Sequence, residues 1–184
     1  MVREKAPGET EGLVFGTGPA HARVMLIGEA PGATEVAEKR PFAGKAGRNL
    51  DHLLEVCGIA REQLYITNTV KYRPRKTGPS GRVSNRPPTR QEVEMMRPFL
   101  LEEIRLIAPG IIATLGNTPL HALAGYAVTV GTVHGTILRP VDCGVPVYAL
   151  FHPASLIYNP SLAEVYEQDL RGLAKMIAEE RSFI

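Results

Sequence analysis

The chain has 184 residues, 44% hydrophobic and 22% charged, with a formal net charge of +2. That is enough apolar mass for one globular core, and no run nears the roughly 18 unbroken apolar residues of a membrane span. Met1-Val2-Arg3-Glu4-Lys5 leads into a Pro/Gly/Glu stretch, so no secretory signal is expected, and two isolated cysteines, Cys57 and Cys143, argue for a reducing, cytoplasmic setting without disulfides.

Residues 1–12 carry Pro7, Gly8 and scattered charges without a hydrophobic period, which predicts a loose tail ahead of one domain over 13–184. Val24-Met25-Leu26-Ile27, closed by Gly28, reads as a buried strand. Leu50, Leu53, Leu54 and Cys57 follow at helical spacing, so a helix is expected over 47–56 with Gly58 as its stop. Leu64-Tyr65-Ile66-Thr67 is a second strand ending at Asn68.

The segment 71–90 holds seven of the 21 basic residues and no Asp or Glu, leaving 14 basic against 19 acidic residues elsewhere. With Pro74, Gly78, Pro79, Gly81, Pro87 and Pro88 it is predicted to be a long loop. Its charge asymmetry points to a polyanion partner, although a merely solvated loop would look similar. Thr89-Arg90-Gln91-Glu92 has the form of a capping box, predicting a helix to about residue 107 that Pro98 bends or breaks. Further expectations are a strand over 110–116, a short helix over 119–124 and a hairpin or irregular strand pair over 128–139. A strand over 145–151 ends at His152, and Ser161 caps a helix reaching residue 180. Alternating strands and helices make this an α/β chain, a three-layer α/β/α sandwich around a mainly parallel sheet.

In such sheets ligands bind outside the carboxyl ends of the strands. Gly28-Glu29-Ala30-Pro31-Gly32, Asn68 and His152 all fall there, and Phe42 lies in the loop leaving the first strand. Competing motifs fail on spacing. A phosphate-binding P-loop ending at Gly44-Lys45 needs glycine at 39 and Ser or Thr at 46, where the chain has Lys39 and Ala46. Gly28 and Gly32 do not form a dinucleotide triad, and His and Cys are too scattered for zinc.

Four blocks in order, Gly28-Glu29-Ala30-Pro31-Gly32, Arg40-Pro41-Phe42-Ala43-Gly44-Lys45-Ala46-Gly47, Ile66-Thr67-Asn68 and His152-Pro153-Ala154-Ser155-Leu156, resemble the family-four uracil-DNA glycosylases. The resemblance runs from about Val14 to the C-terminal helix and implies a DNA repair enzyme that flips uracil from DNA and hydrolyses its glycosidic bond. It also implies a [4Fe–4S] cluster on four cysteines, which this chain lacks: Tyr72 stands at the third position and a residue near Met95 at the fourth. A cluster-free variant without cofactor or metal is therefore expected.

By the same resemblance Phe42 stacks on the extruded base, Asn68 reads its edge, and His152 donates to the departing uracil, with Gly28 and Ala30 lining the pocket. Residue by residue, a core phenylalanine, a turn asparagine and a histidine held by a backbone carbonyl are the plainer alternatives. Glu29 either steadies the cationic sugar, orients water or shapes the turn, because Ala30 occupies the place of the water-activating Asp of the best-known uracil glycosylase family. Lys45, Lys71, Arg73, Arg75 and Arg82 are candidate phosphate contacts, and Leu156, with Ile157 as rival, is the candidate wedge in the duplex. The expected partner is uracil-containing DNA, with no membrane and a monomeric protein. A non-catalytic binding module on the same fold, or a glycosylase for hypoxanthine or xanthine, are the competing readings.

Overall fold

Period-two alternation puts Val24 and Leu26 on one side of the first apolar run and Met25 and Ile27 on the other, and both sides are buried. A strand apolar on both faces belongs in the middle of a covered sheet. The computed structural model, which describes residues 9–181, places it there. Strand β2 (Val24–Gly28) lies between β3 (Leu64–Asn68) and β6 (Ile111–Leu115), and β8 (Val147–Leu150) follows β6, all four parallel. A two-residue strand, β7 (Ile137–Leu138), runs antiparallel at the β8 edge.

Helices cover both faces. Leu50 and Leu54 of α2 (Lys45–Val56) and Tyr166, Leu170 and Leu173 of α7 (Ala163–Arg181) join Leu26, Ile66, Leu115 and Leu150 in one core layer. Val93, Met96, Leu100 and Ile104 of α3 (Arg90–Ile107), with Leu120 of α4 (Asn117–Ala124), join Met25, Ile27 and Ile112 in the other. Gly58, at φ +69°, turns the chain so that the Ile59 N–H reaches the Leu54 carbonyl at 2.9 Å, ending α2 as expected. Among the described residues no helix is long and apolar enough to cross a membrane.

Thr89 accepts from the Glu92 N–H at 3.2 Å and Glu92 accepts from the Thr89 N–H at 2.8 Å, so the capping box forms and α3 runs through Pro98 without a break. Thr89→Ala removes one half of this exchange. It is expected to cost about 0.5–2 kcal/mol, read as a lower urea midpoint at unchanged slope.

The structure corrects three expectations. The tail predicted over 1–12 is strand from Glu9 onward: β1 (Glu9–Leu13) pairs with the basic segment, while residues 1–8 lie outside the described residues. The loop predicted over 71–90 is instead two strands, β4 (Tyr72–Thr77) and β5 (Val83–Asn85), in a second antiparallel sheet of order β1-β4-β5. Its turn closes by Gly78 N–H to the Arg82 carbonyl at 2.9 Å, with Gly81 at φ +77°. Cross-strand pairing sets Glu11 opposite Arg73 and Glu9 opposite Arg75, giving ion pairs of 2.6 and 3.8 Å. The segment holds no acid of its own because its acids come from elsewhere in the chain. Over 128–139, finally, there is one helical turn, α5 (Val130–Val133), before β7. The Asn117 side chain accepts the Val130 N–H at 2.7 Å and fixes that turn.

Two short helices complete the frame, α1 (Ala33–Glu38) after β2 and α6 (Ser155–Tyr158) after β8. The chain leaves β2 for β3 on one side and leaves β6 toward β8 on the other, so the connections diverge between these neighbouring strands and open a crevice at their carboxyl ends.

Candidate active site

Parallel register brings Gly28 beside Asn68 at the ends of β2 and β3. A Cβ on Gly28 would lie 2.5 Å from both Asn68 Oδ1 and Phe42 Cζ, so only glycine lets the ring and the amide approach this strand end. Phe42 is 6% exposed and holds φ +52°, a left-handed conformation that is rare for a bulky residue and costs about 1–3 kcal/mol. Two contacts hold it there. Gly47 lets α2 pass close by, since a Cβ would fall 1.8 Å from the Phe42 carbonyl oxygen. The Glu35 carboxylate ties the flanking loops together, accepting the Gly32 N–H at 3.0 Å and the Gly44 N–H at 2.8 Å.

Asn68 is 3% exposed, and among the described residues its side-chain amide has no hydrogen-bond partner. Its amide opens on the cleft, where its donor and acceptor are available to a ligand. His152 follows β8, and its ring lies 5.9 Å from that of Phe42 at a 30° tilt. Its Nδ1 faces the Ala154 N–H at 3.1 Å and must accept, which leaves the ring proton on Nε2. Burial pushes the imidazole down to about 4, so at neutral pH it is an uncharged N–H donor.

Because the unfolded histidine titrates near 6.5 and the folded one near 4, stability from this group is full above about pH 6.5 and falls as pH drops toward 4. The corresponding expectation is that imidazole nitrogen shifts of His152 keep the Nε2–H tautomer at pH 5. A midpoint near 6.5 would contradict it.

The Glu29 carboxylate accepts the Thr118 hydroxyl at 2.6 Å, and its carbonyl accepts the Val70 N–H at 3.0 Å. Thr118 sits in the first turn of α4, a partner that no sequence signal marks. Glu29, Ala30, Phe42, Asn68 and His152 line one cleft of about 490 Å³, with Lys45, Arg86 and Tyr158 at its walls. A second cavity of about 550 Å³, lined by Arg97, His121 and Tyr126, shares none of these residues.

The five candidate phosphate contacts divide. Lys45 and Arg82 are exposed, the first beside the cleft and the second at the hairpin turn. Arg75 is half-buried against Glu9. Lys71 and Arg73 are corrected: they are 6% and 9% exposed and bound to Glu103 and Glu11, so neither is free to meet a phosphate. Leu156 is half-buried against the core, whereas Tyr158, two residues on, is 86% exposed at the cleft. Glu35 and Tyr158 were not singled out from sequence. The acid three residues after Gly32, opening a helix, was the available signal for Glu35.

The sequence family described as the Uracil DNA glycosylase superfamily matches residues 15–173. The type-4 uracil-DNA glycosylase of Archaeoglobus fulgidus is 33% identical over 174 residues, covering 91% of this chain and 83% of that protein. The type-4 enzyme of Thermotoga maritima is 36% identical over 173 residues, covering 91% and 84%. The crystal structure of Pedobacter heparinus SMUG2 superimposes with a TM-score of 0.60 over 86% of this chain and 77% of that one, at 16% identity, a likeness of fold. On the family match and these identities, the chain belongs to the uracil-DNA glycosylase superfamily.

Proposed function

We propose that the protein excises uracil from DNA, taking the flipped base into the cleft between Phe42, Asn68 and His152. The observation that carries this reading is that a ring, an unpartnered amide and a neutral N–H donor line one cleft although they lie far apart in the chain. The names of the type-4 relatives support the same substrate. A base must leave the stack to be reached, at a penalty of a few kcal/mol, and stacking on Phe42 returns roughly 1–3 kcal/mol.

The chemistry then follows from where charge moves. As the bond between N1 and C1′ breaks, its electron pair leaves with uracil and positive charge grows on the sugar. Water supplies the oxygen that ends on C1′, and one of its protons ends on uracil. The His152 Nε2–H meets the charge on uracil O2, and Glu29, held by Thr118, faces the cationic sugar. Asn68 pairs with O4 and N3–H together, whereas cytosine offers a donor and an acceptor in reversed places.

DNA approaches over exposed Lys45 and the hairpin bearing Arg82, and Leu156 or Tyr158 fills the space the base leaves. No step runs through an iron–sulfur cluster. Two cysteines cannot supply four thiolates, and Cys57 and Cys143 pack against opposite core layers.

Oligonucleotides carrying uracil, hypoxanthine or xanthine, cleaved afterwards at abasic sites, test the reading. Product from uracil is expected. Product only from the purines would move the substrate, and none from any would leave a binding module.

A further inference from the structure

We propose that Lys71 is a positioning residue for base recognition, its buried ammonium holding the backbone of Asn68 so that the amide faces the cleft at a fixed angle. This rests on the assignment of Asn68 as the reader of uracil. An ammonium has three N–H donors, and each has an acceptor here. Lys71 Nζ donates to the Asn68 carbonyl at 2.6 Å, to Thr67 Oγ1 at 2.8 Å and to the Glu103 carboxylate.

Glu103 reaches in from α3 and is itself held, accepting from the Tyr65 hydroxyl at 3.0 Å and from Thr67 Oγ1 at 3.1 Å. The next two residues are tied on the other side, with the Thr69 N–H donating to the Gly28 carbonyl at 2.8 Å and the Val70 N–H to the Glu29 carbonyl at 3.0 Å. The peptide that follows Asn68 is therefore gripped at its carbonyl by Lys71, on the side of α3, and at its N–H by β2. What it orients is an amide with no partner of its own among the described residues.

Stability alone does not call for this arrangement. Burying an ammonium and a carboxylate costs several kcal/mol per ion before pairing, and apolar residues of similar size commonly do as well or better. Desolvation lowers the Lys71 ammonium from its ordinary pKa while Glu103 pulls the other way. A free side-chain amide rotates about its two bonds, so reading a base edge needs its anchor held to a fraction of an ångström.

The test separates positioning from phosphate binding and from simple packing. It compares wild type, Lys71→Met and the doubly neutral Lys71→Met/Glu103→Gln, the last removing the unpaired charge that could prevent folding. The readouts are inhibition of excision by free uracil, the salt dependence of affinity for abasic-site DNA, and the melting temperature. Both variants are expected to bind free uracil about 10- to 100-fold more weakly, as small misplacements of a recognition group do. The slope of log affinity against log salt should stay as in wild type.

A slope reduced by about one with unchanged uracil inhibition would make Lys71 a phosphate contact and overturn the proposal. A lower melting temperature with unchanged inhibition would reduce it to packing and overturn it equally. Asn68→Ala is the control for the underlying assignment. If that variant leaves uracil inhibition unchanged, the reader role of Asn68 fails and the role of Lys71 with it, whereas inhibition weakened in Asn68→Ala but not in Lys71→Met overturns the role of Lys71 alone.

Discussion

His152→Ala is expected to slow single-turnover excision of uracil by about 10²–10³, the loss of one preorganised donor worth roughly 2.7–4 kcal/mol in the transition state. The physical basis is a tautomer assigned from the hydrogen bonding of the ring. The Ala154 N–H occupies Nδ1 and burial keeps the ring neutral, so the remaining N–H is on Nε2 in the cleft with Phe42 and Asn68. That donor meets little charge on uracil in the intact nucleotide and far more as the base departs. The loss should therefore fall on the rate of the chemical step, with affinity for uracil-containing DNA nearly unchanged. Alanine keeps the Cβ beside Gly116, so folding is expected to survive. A variant with wild-type single-turnover rates would remove His152 from the mechanism.

Asn68→Ala is expected to lose about 10- to 100-fold in excision, since it deletes two hydrogen bonds to the base in a buried site. Asn68→Asp should lose more. A carboxylate only accepts, so it can take uracil N3–H but sets its own lone pairs against those of O4. The comparison is informative because Asn and Asp have nearly the same shape, and a difference between the variants reports hydrogen-bond polarity rather than packing. Equal activity of all three proteins in single-turnover assays would show that this side chain does not read the base.

Much of the frame was legible in the sequence because its signals are local. Val24–Ile27 is apolar on both faces, Leu64 and Ile66 give the strand ending at Asn68 one apolar face, and Thr89 with Glu92 forms its capping box within four residues. Asn68 and His152 stood out because they follow strand ends, where a parallel sheet exposes its crevice, and Phe42 through the block Arg40–Gly47 that carries the family resemblance.

What failed depends on partners distant in sequence. The segment with Arg73 and Arg75 read as a cationic loop, but Glu9 and Glu11, more than sixty residues earlier, convert it into a paired strand. Lys71 looked like one more phosphate ligand because nothing near it in sequence reveals Glu103. Charge counted along a chain does not say which charges meet. Thr118, which holds Glu29, is invisible for the same reason.

The most direct test is a crystal structure of the protein with uracil and abasic-site DNA, the two products of the proposed reaction. Uracil is expected flat against Phe42, with O4 and N3–H on the Asn68 amide and O2 within hydrogen-bond reach of His152 Nε2. Uracil bound in the cavity beside Tyr126, or in the cleft with His152 turned away from O2, would contradict the convergence of these three side chains on one base.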